Sequence, residues 1–388
     1  MNSRPALAII SNSCPPYRLH LHRRIAAELT ELQLFTLFTH QDPHWEFKSA
    51  PEIGPVMFGG GESVLQQAKP SGLVREWKKA GRIIRWLQAN NARAVVAAGY
   101  NDLGRLRIIW WCFRNKLPCL MVADSNIRGD EATGLRAWAK RQLVNRVIRK
   151  CDALLVCGRL GKEYFLKYGA DPKQIFYSPY EPDYSMVRNI TDSQRDAAVS
   201  KFRLNPNRRK LVYTGRLVGV KRVDLLIDAF SKIAGRIPDW DLLIVGDGPL
   251  RKDLESRVPE NLAARIIWTG FLDDQPLVSA LYRASDVLVL PSDNEPWAVV
   301  INEAVTAGMA IVASDVVGAA AELVRDRVNG RIFRRGDLDH LTECLLDVTD
   351  PTHTDAYKAA SATVLSDWQR DGDPVNGLRN ALRYVGAI

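Results

Sequence analysis

Short apolar segments alternate with helical patterns along almost the whole chain, and this alternation restricts the fold more than any other feature. The first series opens with "ALAIIS", an apolar run of strand length, followed by a helical pattern that begins at a proline pair. The later strand-like runs of this series are "QLFTLFT", "RAVVAAG", "PCLMVAD" and "DALLVC". Strands and helices that alternate in this way form a parallel sheet with helices on both faces. The front half is therefore predicted to be a doubly wound α/β domain.

A second series of the same kind begins near Lys210. Its strand-like runs are "KLVYTGRL", "DLLIVGDG", "RIIWTGFL", "DVLVLPS", "AIVASD" and "GRIFRRGD". Because 388 residues are long for one compact domain, we predict two doubly wound domains in tandem. We expect them at 1–188 and 211–372, separated by a polar linker region at 189–210. The helical pattern at 373–388 has no strand after it and is expected to pack back on the first domain.

Composition narrows the classes of protein that this chain can represent. Apolar residues make up 46% of the sequence and charged residues 25%, as in an ordinary globular protein. No apolar run approaches the roughly 20 residues that cross a bilayer, and the apolar start of the chain is too short for a signal peptide. We therefore expect a cytoplasmic protein. The six cysteines lack the paired spacing of a zinc site, and no metal is predicted.

The positive charge is concentrated in the front half. Residues 1–190 contain 28 Lys and Arg against 16 Asp and Glu, whereas residues 191–388 contain 25 against 28. Basic helices with tryptophans, such as "REWKKAGRIIRW", suit an anionic membrane surface, so peripheral association at the inner face of the membrane is one hypothesis. Solvated helix faces over a normal core are the alternative, and we expect Trp110 and Trp111 in that core. Nucleic acid is not expected as a partner, because no recognised binding module accompanies the charge.

Two cations follow the first strand of the second series, in "LVYTGRLVGVKRVDLLIDAF". The strand ends at Thr214, Gly215 makes a turn, Arg216 follows, and Lys221 stands at the start of a helix. Such a junction directs free backbone N–H groups and a positive helix end outward, and two cations beside it would hold a diphosphate. The alternative is that both cations are solvated surface charges.

The segment "SDNEPWAVVINEA" places two glutamates eight positions apart, one in a loop and one in a helix. Phosphate oxygens could accept hydrogen bonds from the backbone N–H groups of Ala298, Val299 and Val300 at the helix start. Glu303 could accept from a ribose diol and Glu295 from the hydroxyls of a sugar beyond the phosphates. Alternatively, Glu295 favours the positive end of its helix and Glu303 is an ordinary surface residue.

Together these segments, in this order, resemble the retaining glycosyltransferases of family four. The resemblance is strong from about Leu211 to Gly336 and looser before that. It implies the GT-B fold, with two Rossmann-like domains facing a central cleft. It also implies transfer of a sugar from a nucleotide-sugar donor, most commonly a UDP-sugar, to a saccharide or lipid-linked acceptor in polysaccharide, glycolipid or cell-envelope glycan synthesis. Neither a metal nor another cofactor is implied.

The resemblance also assigns roles to single residues. Arg216 and Lys221 match the pair that binds the diphosphate and stabilises the charge on the leaving group. Glu303 matches the glutamate that binds the ribose. Glu295 matches the first glutamate of the E-x7-E motif, which contacts the donor sugar.

Other positions match less closely or depart from the pattern. Gly270 and Phe271 match a segment that lies against the nucleobase. Many relatives have a glycine where this chain has Ala298, a glycine pair where it has "NSCPPYR", and a donor-contacting histidine near the position of Asp124. Asp124 is a candidate substitute for that histidine, or else a loop or helix-capping residue.

Two further functions stay open on these residues. One is a nucleotide-sugar epimerase built on the same two-domain plan. The other is a non-catalytic pair of domains that binds a nucleotide or a partner protein. Product formation without an acceptor distinguishes the first, and donor binding without turnover distinguishes the second.

Overall fold

The structure is a computed structural model. In it the chain forms two compact units. The first unit comprises Met1–Glu181 and Gly372–Ile388, and the second comprises Pro182–Asp371. The described residues are 4–41, 50–63, 70–100 and 102–388.

The first unit contains a seven-stranded sheet in which every strand pairs in parallel with its neighbours. Its strands are β1 Ala6–Ser11, β2 Gln33–Phe38, β3 Pro55–Met57, β4 Ala92–Ala98, β5 Cys119–Ala123, β6 Ala153–Val156 and β7 Ile175–Tyr177. The order across the sheet is β3-β2-β1-β4-β5-β6-β7. The five strands that the sequence predicts are all present, and the short edge strands β3 and β7 are additional. The central strands read as almost continuous apolar runs because helices cover both faces.

Within the described residues of the first unit, six helices cover this sheet. They are α1 Pro16–Glu28, α2 Pro70–Ala89, α3 Leu103–Asn115, α4 Gly134–Ile148, α5 Arg159–Lys167 and α15 Pro374–Tyr384. Helices α2, α3, α4 and α5 share one buried core, whereas α1 and α15 share the core on the opposite face. None of the described helices has the length and apolar character needed to span a membrane.

Helix α15 comes from the end of the chain and completes the first unit. Its start is tied to the sheet by a hydrogen bond from the Ser178 hydroxyl to the Pro374 carbonyl, 3.0 Å long. Gly377 allows the helix to lie directly on β7, because a Cβ at this position would be only 1.6 Å from the carbonyl oxygen of Tyr177. The segment that carries α15 therefore belongs to the first unit.

The second unit has its own parallel sheet, of six strands. They are β8 Arg209–Thr214, β9 Trp240–Val245, β10 Ile266–Gly270, β11 Val287–Leu290, β12 Ala310–Ser314 and β13 Gly330–Phe333. All six lie within the apolar runs that the sequence singles out. The order is β10-β9-β8-β11-β12-β13, so the direction of winding reverses between β8 and β11. In doubly wound sheets this reversal opens a crevice beyond the carboxyl ends of the two strands, where ligands bind.

Nine helices belong to the second unit. They are α6 Ser185–Arg188, α7 Asp192–Lys201, α8 Val223–Ile233, α9 Arg251–Ser256, α10 Gln275–Arg283, α11 Val299–Thr306, α12 Ala320–Leu323, α13 Leu338–Val348 and α14 Pro351–Asp371. Most of these helices lie between two strands of the sheet, as the alternating pattern in the sequence predicts.

The expected linker at 189–210 is organised differently from the sequence prediction. It contains α7, which begins with a capping box between Thr191 and Gln194 and buries Ala198. This helix packs on α10 of the second unit. The polar composition that suggested a linker belongs to the solvent face of this short helix, and the second unit begins at Pro182 rather than at residue 211.

The two adjacent tryptophans of α3 differ in their burial. Trp111 is half-buried and packs against the core of the first unit, as expected. Trp110, which we also expected in the core, is 47% exposed. Successive helical residues point about 100° apart, so only one of two neighbours can face the sheet fully.

Candidate functional site

Two loops meet at the reversal point of the second sheet. One follows β8 and the other follows β11, and these strands are neighbours. The backbone N–H of Asp293 in the second loop donates to the carbonyl of Val220 in the first, at 2.8 Å. The guanidinium of Arg222 adds an ion pair to Asp293 at 3.2 Å. The segments that carry Arg216, Lys221 and Glu295 are therefore joined to each other within one unit.

The loop after β8 is held against the loop after β9 by direct backbone contact. The N–H of Leu217 donates to the carbonyl of Asp247 at 2.9 Å. A Cβ on Gly246 would lie 2.0 Å from the carbonyl oxygen of Gly215, so this approach requires glycine. The buried Tyr213 hydroxyl donates to the carbonyl of Arg216 at 3.0 Å. This framework fixes the backbone of Arg216 while its side chain is exposed to solvent.

Lys221 and Glu295 form an ion pair with each other. Lys221 ends a short 3₁₀ turn, Gly219–Lys221, and its ammonium donates to Oε2 of Glu295. The two side chains are 22% and 14% exposed. The backbone carbonyl of Glu295 also accepts from the N–H of Gly318 at 3.0 Å, which anchors the loop. The structure thus brings together two residues that the sequence assigned to different parts of one ligand.

Ala298, the residue directly before α11, has a backbone conformation that glycine prefers. Its φ is 83° and its ψ is 82°, and it serves as the N-cap residue of the helix. The N–H groups of Val299 and Val300 lie in the first turn, where a helix offers no internal partner. The carbonyl of Ala298 accepts from the N–H of Ile301 at 3.1 Å. The alanine therefore preserves the left-handed geometry that a glycine at this position would adopt without strain.

Glu303 lies one turn further along α11, held by two donors. Its Oε1 accepts from the amide of Gln275 and its Oε2 from the hydroxyl of Tyr282, both at 3.0 Å. Burial raises the pKa of the Glu303 carboxyl to about 7, although the two hydrogen bonds oppose the rise. The carboxyl is therefore poised to change its charge near neutral pH.

Gly270 and Phe271 lie at the end of β10, beside this framework. Gly270 has a φ of 75°, and its carbonyl accepts from the N–H of Gly246 at 3.0 Å. Phe271 is 61% exposed. An exposed ring at the carboxyl edge of a parallel sheet offers a flat apolar surface for a planar group.

Asp124 belongs to the first unit, unlike the other candidate residues. It is exposed and directly follows β5. Burial raises the pKa of the Tyr180 phenol, and the charge of Asp124 adds to that rise. Tyr180 accepts a hydrogen bond from Arg18 at 3.4 Å. Asp124 thus lies near a tyrosine and arginine pair that the sequence analysis did not single out.

A cluster with the donors of a metal site also lies in the first unit. Ligand atoms of His40, Glu62 and Glu76 lie within 4.8 Å of one another. The ammonium of Lys79 lies among them, 2.9 Å from Glu76 and 2.7 Å from Glu62, and donates to the carbonyl of Thr39 at 2.7 Å. Because this ammonium already occupies the position of a cation, we interpret the cluster as a buried ion network.

Comparison with known proteins gives a family for the second unit. Residues 208–350 match the family model described as Glycosyl transferases group 1. The second unit carries a glycosyltransferase group 1 domain.

Similar proteins are found for larger parts of the chain. The alpha-D-kanosaminyltransferase of Streptomyces kanamyceticus is 28% identical over 214 residues, which cover 54% of this chain and 54% of that protein. The D-inositol 3-phosphate glycosyltransferase of Mycobacterium sp. (strain KMS) is 30% identical over 224 residues, covering 55% and 48%. The chain spans about half the length of these curated relatives.

A solved structure is similar over almost the whole chain. The crystal structure of Anabaena Alr3699/HepE in complex with UDP and glucose is 17% identical, with a TM-score of 0.72, and covers 99% of this chain and 100% of that one. The predicted fold class, two Rossmann-like parallel-sheet domains of the GT-B type, is confirmed.

Several residues that shape the glycosyltransferase group 1 domain were missed from the sequence. Gln275 and Tyr282 hold Glu303, and Tyr213 holds the backbone of Arg216. Tyr213 carried a signal, because a tyrosine in a fully buried strand needs a partner for its hydroxyl. Gln275 and Tyr282 are 28 and 21 positions from Glu303 and carried none.

The left-handed conformation of Ala298 in the glycosyltransferase group 1 domain predicts the effect of Ala298→Gly. We expect this variant to raise the free energy of unfolding by up to about 1 kcal/mol, because the removed strain exceeds the added chain entropy. Urea unfolding of the second unit would measure the change. Ala359→Gly, in the exposed interior of α14, is the matched control and should cost about 1 kcal/mol. Equal losses in both variants would contradict strain at Ala298.

Proposed function

We propose that the chain is a retaining glycosyltransferase that moves a sugar from a nucleotide-sugar donor, with UDP as the nucleotide, to an acceptor hydroxyl. The observation that carries the proposal is the convergence of Lys221, Glu295 and the start of α11 at the reversal point of the second sheet. The family of residues 208–350 and the names of the relatives support it. Polysaccharide, glycolipid or cell-envelope glycan synthesis is the expected context.

In this proposal the donor diphosphate binds between the loop after β8 and the start of α11. Arg216 contributes an exposed cation, and its guanidinium makes no hydrogen bond or ion pair within the part of the chain that the structure describes. Lys221 contributes the second cation. The N–H groups of Ala298, Val299 and Val300 donate to phosphate oxygens.

The sugars on either side of the diphosphate are bound by the two glutamates. Glu303 accepts hydrogen bonds from the ribose diol, because Gln275 and Tyr282 fix both of its oxygens. Glu295 accepts from hydroxyls of the transferred sugar. Gly270 and Phe271 lie against the nucleobase.

During transfer, the bond between the anomeric carbon and the phosphate oxygen breaks and its electron pair remains on the diphosphate. The acceptor oxygen forms the new bond to that carbon, and its proton passes to an oxygen of the departing diphosphate. Arg216 and Lys221 stabilise the charge that gathers on the leaving group, which is the electrostatic effect that usually dominates such catalysis. These cations do the work of a metal, and no metal or other cofactor is proposed. Asp124 is the candidate contribution of the first unit, which we propose binds the acceptor.

A donor screen followed by product analysis tests this function. We expect UDP-glucose or UDP-N-acetylglucosamine, and not GDP-mannose, to raise the melting temperature of the chain. With that donor, mass analysis should show nucleoside diphosphate release together with an acceptor heavier by one sugar. An isomerised donor formed without an acceptor would instead establish an epimerase. Tight donor binding with no turnover against a panel of saccharide and lipid-linked acceptors would favour a non-catalytic binding protein.

A further inference from the structure

The outer surface of α2, α3 and α4 combines exposed apolar side chains with positive charge. Sixteen large apolar side chains are exposed among the described residues, and nine of them lie on these three helices. They are Leu73, Val74, Trp77, Leu103, Trp110, Phe113, Leu135, Trp138 and Leu143. We call this surface, on the side of the sheet away from α1 and α15, the aromatic-basic face.

The charge of this face is mostly positive. The three helices contain twelve Lys and Arg and a single acidic residue, Glu76. Glu76 is buried and pairs with the buried Lys79, and Arg105 is buried as well. Of the ten remaining cations, Arg75 pairs with Glu62 and Lys140 with Asp130, acids that precede α2 and α4, and eight lie at the surface outside these two pairs.

Helices α2 and α3 pack on each other, and cations lie over exposed rings of the face. The guanidinium of Arg107 on α3 lies 4.5 Å from the ring of Trp77 on α2. The guanidinium of Arg114 lies 4.7 Å from the ring of Trp110. The ammonium of Lys150, just beyond α4, lies 4.9 Å from the ring of Phe113. Pairs of this kind suit the boundary of a bilayer, where rings enter the interface and cations reach the phosphate layer.

An open basic groove lies between α2 and α3 on the same face. Its lining includes Arg75, Lys78, Arg82, Arg85 and Arg107. Gly81 gives Arg107 room, because a Cβ there would be 3.3 Å from the guanidinium. Phosphate groups are the chemistry that such a set of cations binds.

We propose that the aromatic-basic face docks the chain on an anionic phospholipid membrane. The occupant must be anionic, because two copies of this face would repel each other. It must also accept bulky apolar side chains over three helices, which a bilayer interface does. Docking adds a membrane surface to the proposed function and uses no catalytic residue.

Vesicle sedimentation tests the docking with two variants and one control. Lys78→Glu/Arg85→Glu reverses two cations of the groove, and Trp77→Ala/Trp110→Ala removes two rings. Arg383→Glu/Tyr384→Ala is the control, since both residues are exposed on α15 at the opposite face of the sheet. Circular dichroism verifies that each variant is folded.

We expect the full chain to bind vesicles of phosphatidylcholine mixed with phosphatidylglycerol and not vesicles of phosphatidylcholine alone. About 1 M salt should release it, because the Debye length falls to about 3 Å. The charge variant should bind at least about 25-fold more weakly, since each cation near the surface contributes about fivefold. The ring variant should bind at least about tenfold more weakly. The control should bind like the unmodified chain.

Other results would overturn the proposal. One is equal binding to neutral and anionic vesicles, and another is unchanged binding of the charge variant. Displacement by inorganic phosphate, but not by chloride of equal ionic strength, would assign the cations to a discrete phosphate site. Tighter binding to a single-stranded RNA than to anionic vesicles would assign the face to nucleic acid. Vesicle sedimentation does not depend on turnover. The docking proposal can therefore be tested even if the chain has no transferase activity.

Discussion

Lys221→Ala should reduce the turnover of sugar transfer by a factor of about 10² to 10³. This is the usual cost of removing one preorganised group that stabilises charge on a leaving group. The change should appear mainly in kcat, because the diphosphate acquires its additional charge as the bond to the sugar breaks. Steady-state kinetics with the donor found by the screen would measure it, and Arg216→Ala should behave in the same way.

The ion pair with Glu295 gives this experiment its discriminating control. If Lys221 served only as the counter-ion of Glu295, Lys221→Ala/Glu295→Ala would turn over no more slowly than Glu295→Ala. We expect the double variant to recover thermal stability but to turn over more slowly than Glu295→Ala. Lys232→Ala on α8, which breaks the exposed ion pair with Asp339 of α13, should leave both unchanged. Equal turnover of the double variant and Glu295→Ala would contradict a role for Lys221 in diphosphate binding.

Glu303→Gln should weaken the binding of UDP about tenfold to 100-fold. A hydrogen bond to a charged group contributes about 1.5 to 3 kcal/mol, and the amide loses the negative charge that accepts from the ribose diol. Isothermal titration with UDP at pH 8 would measure the loss. Glu343→Gln, an exposed residue of α13, is the matched control and should bind UDP normally.

The pKa of Glu303 adds a pH dependence with a defined sign. Since this pKa is about 7, the charged fraction falls about 30-fold between pH 8 and pH 5.5, and UDP affinity should fall with it. The stability of the ligand-free chain should change in the opposite direction. Because the pKa is raised above its ordinary value of 4.5, the folded state favours the protonated form. That contribution to stability is fully present below pH 4.5 and is lost as the pH rises through 7.

Glu303→Gln should remove the contribution of Glu303 to the pH dependence of UDP affinity and of stability. The stability of the variant must be compared with that of the unmodified chain at each pH. Glu181 in the first unit also has its pKa raised by burial to about 7, so the unmodified chain and the variant share its contribution. Only the difference between their melting temperatures from pH 5.5 to 8.5 reports Glu303. UDP affinity that does not depend on pH in the unmodified chain would contradict the assignment of Glu303 to the ribose.

Most of the fold could be predicted from local sequence patterns, because buried parallel strands read as apolar runs. The segments that failed are those whose structure depends on distant contacts. Strands β3 and β7 have only three residues each and form at the edges of an existing sheet. Helix α7 is largely polar, packs on α10 and buries Ala198. Trp110 has the same composition around it as Trp111 but faces solvent.

The positions of site residues that directly follow strands could be predicted from the sequence. The contacts between those residues could not. Gly215, Arg216 and Lys221 lie after β8 as the motif indicates. The pairing of Lys221 with Glu295 joins positions 74 residues apart, and no local pattern reveals it. The same holds for Gln275 and Tyr282, whose contact with Glu303 arises from the packing of α10 on α11.

The position of α15 has a consequence for synthesis on the ribosome. Val375, Leu378 and Leu382 of α15 fill the core on one side of the first sheet. The strands of that sheet are translated more than 190 residues earlier. Until residues 374–384 emerge, α1 and the strands beneath it expose an apolar surface to solvent while the second unit folds. Nascent chains should therefore depend on chaperones for longer than the order of the strands suggests, and removal of the final helix should make them aggregate.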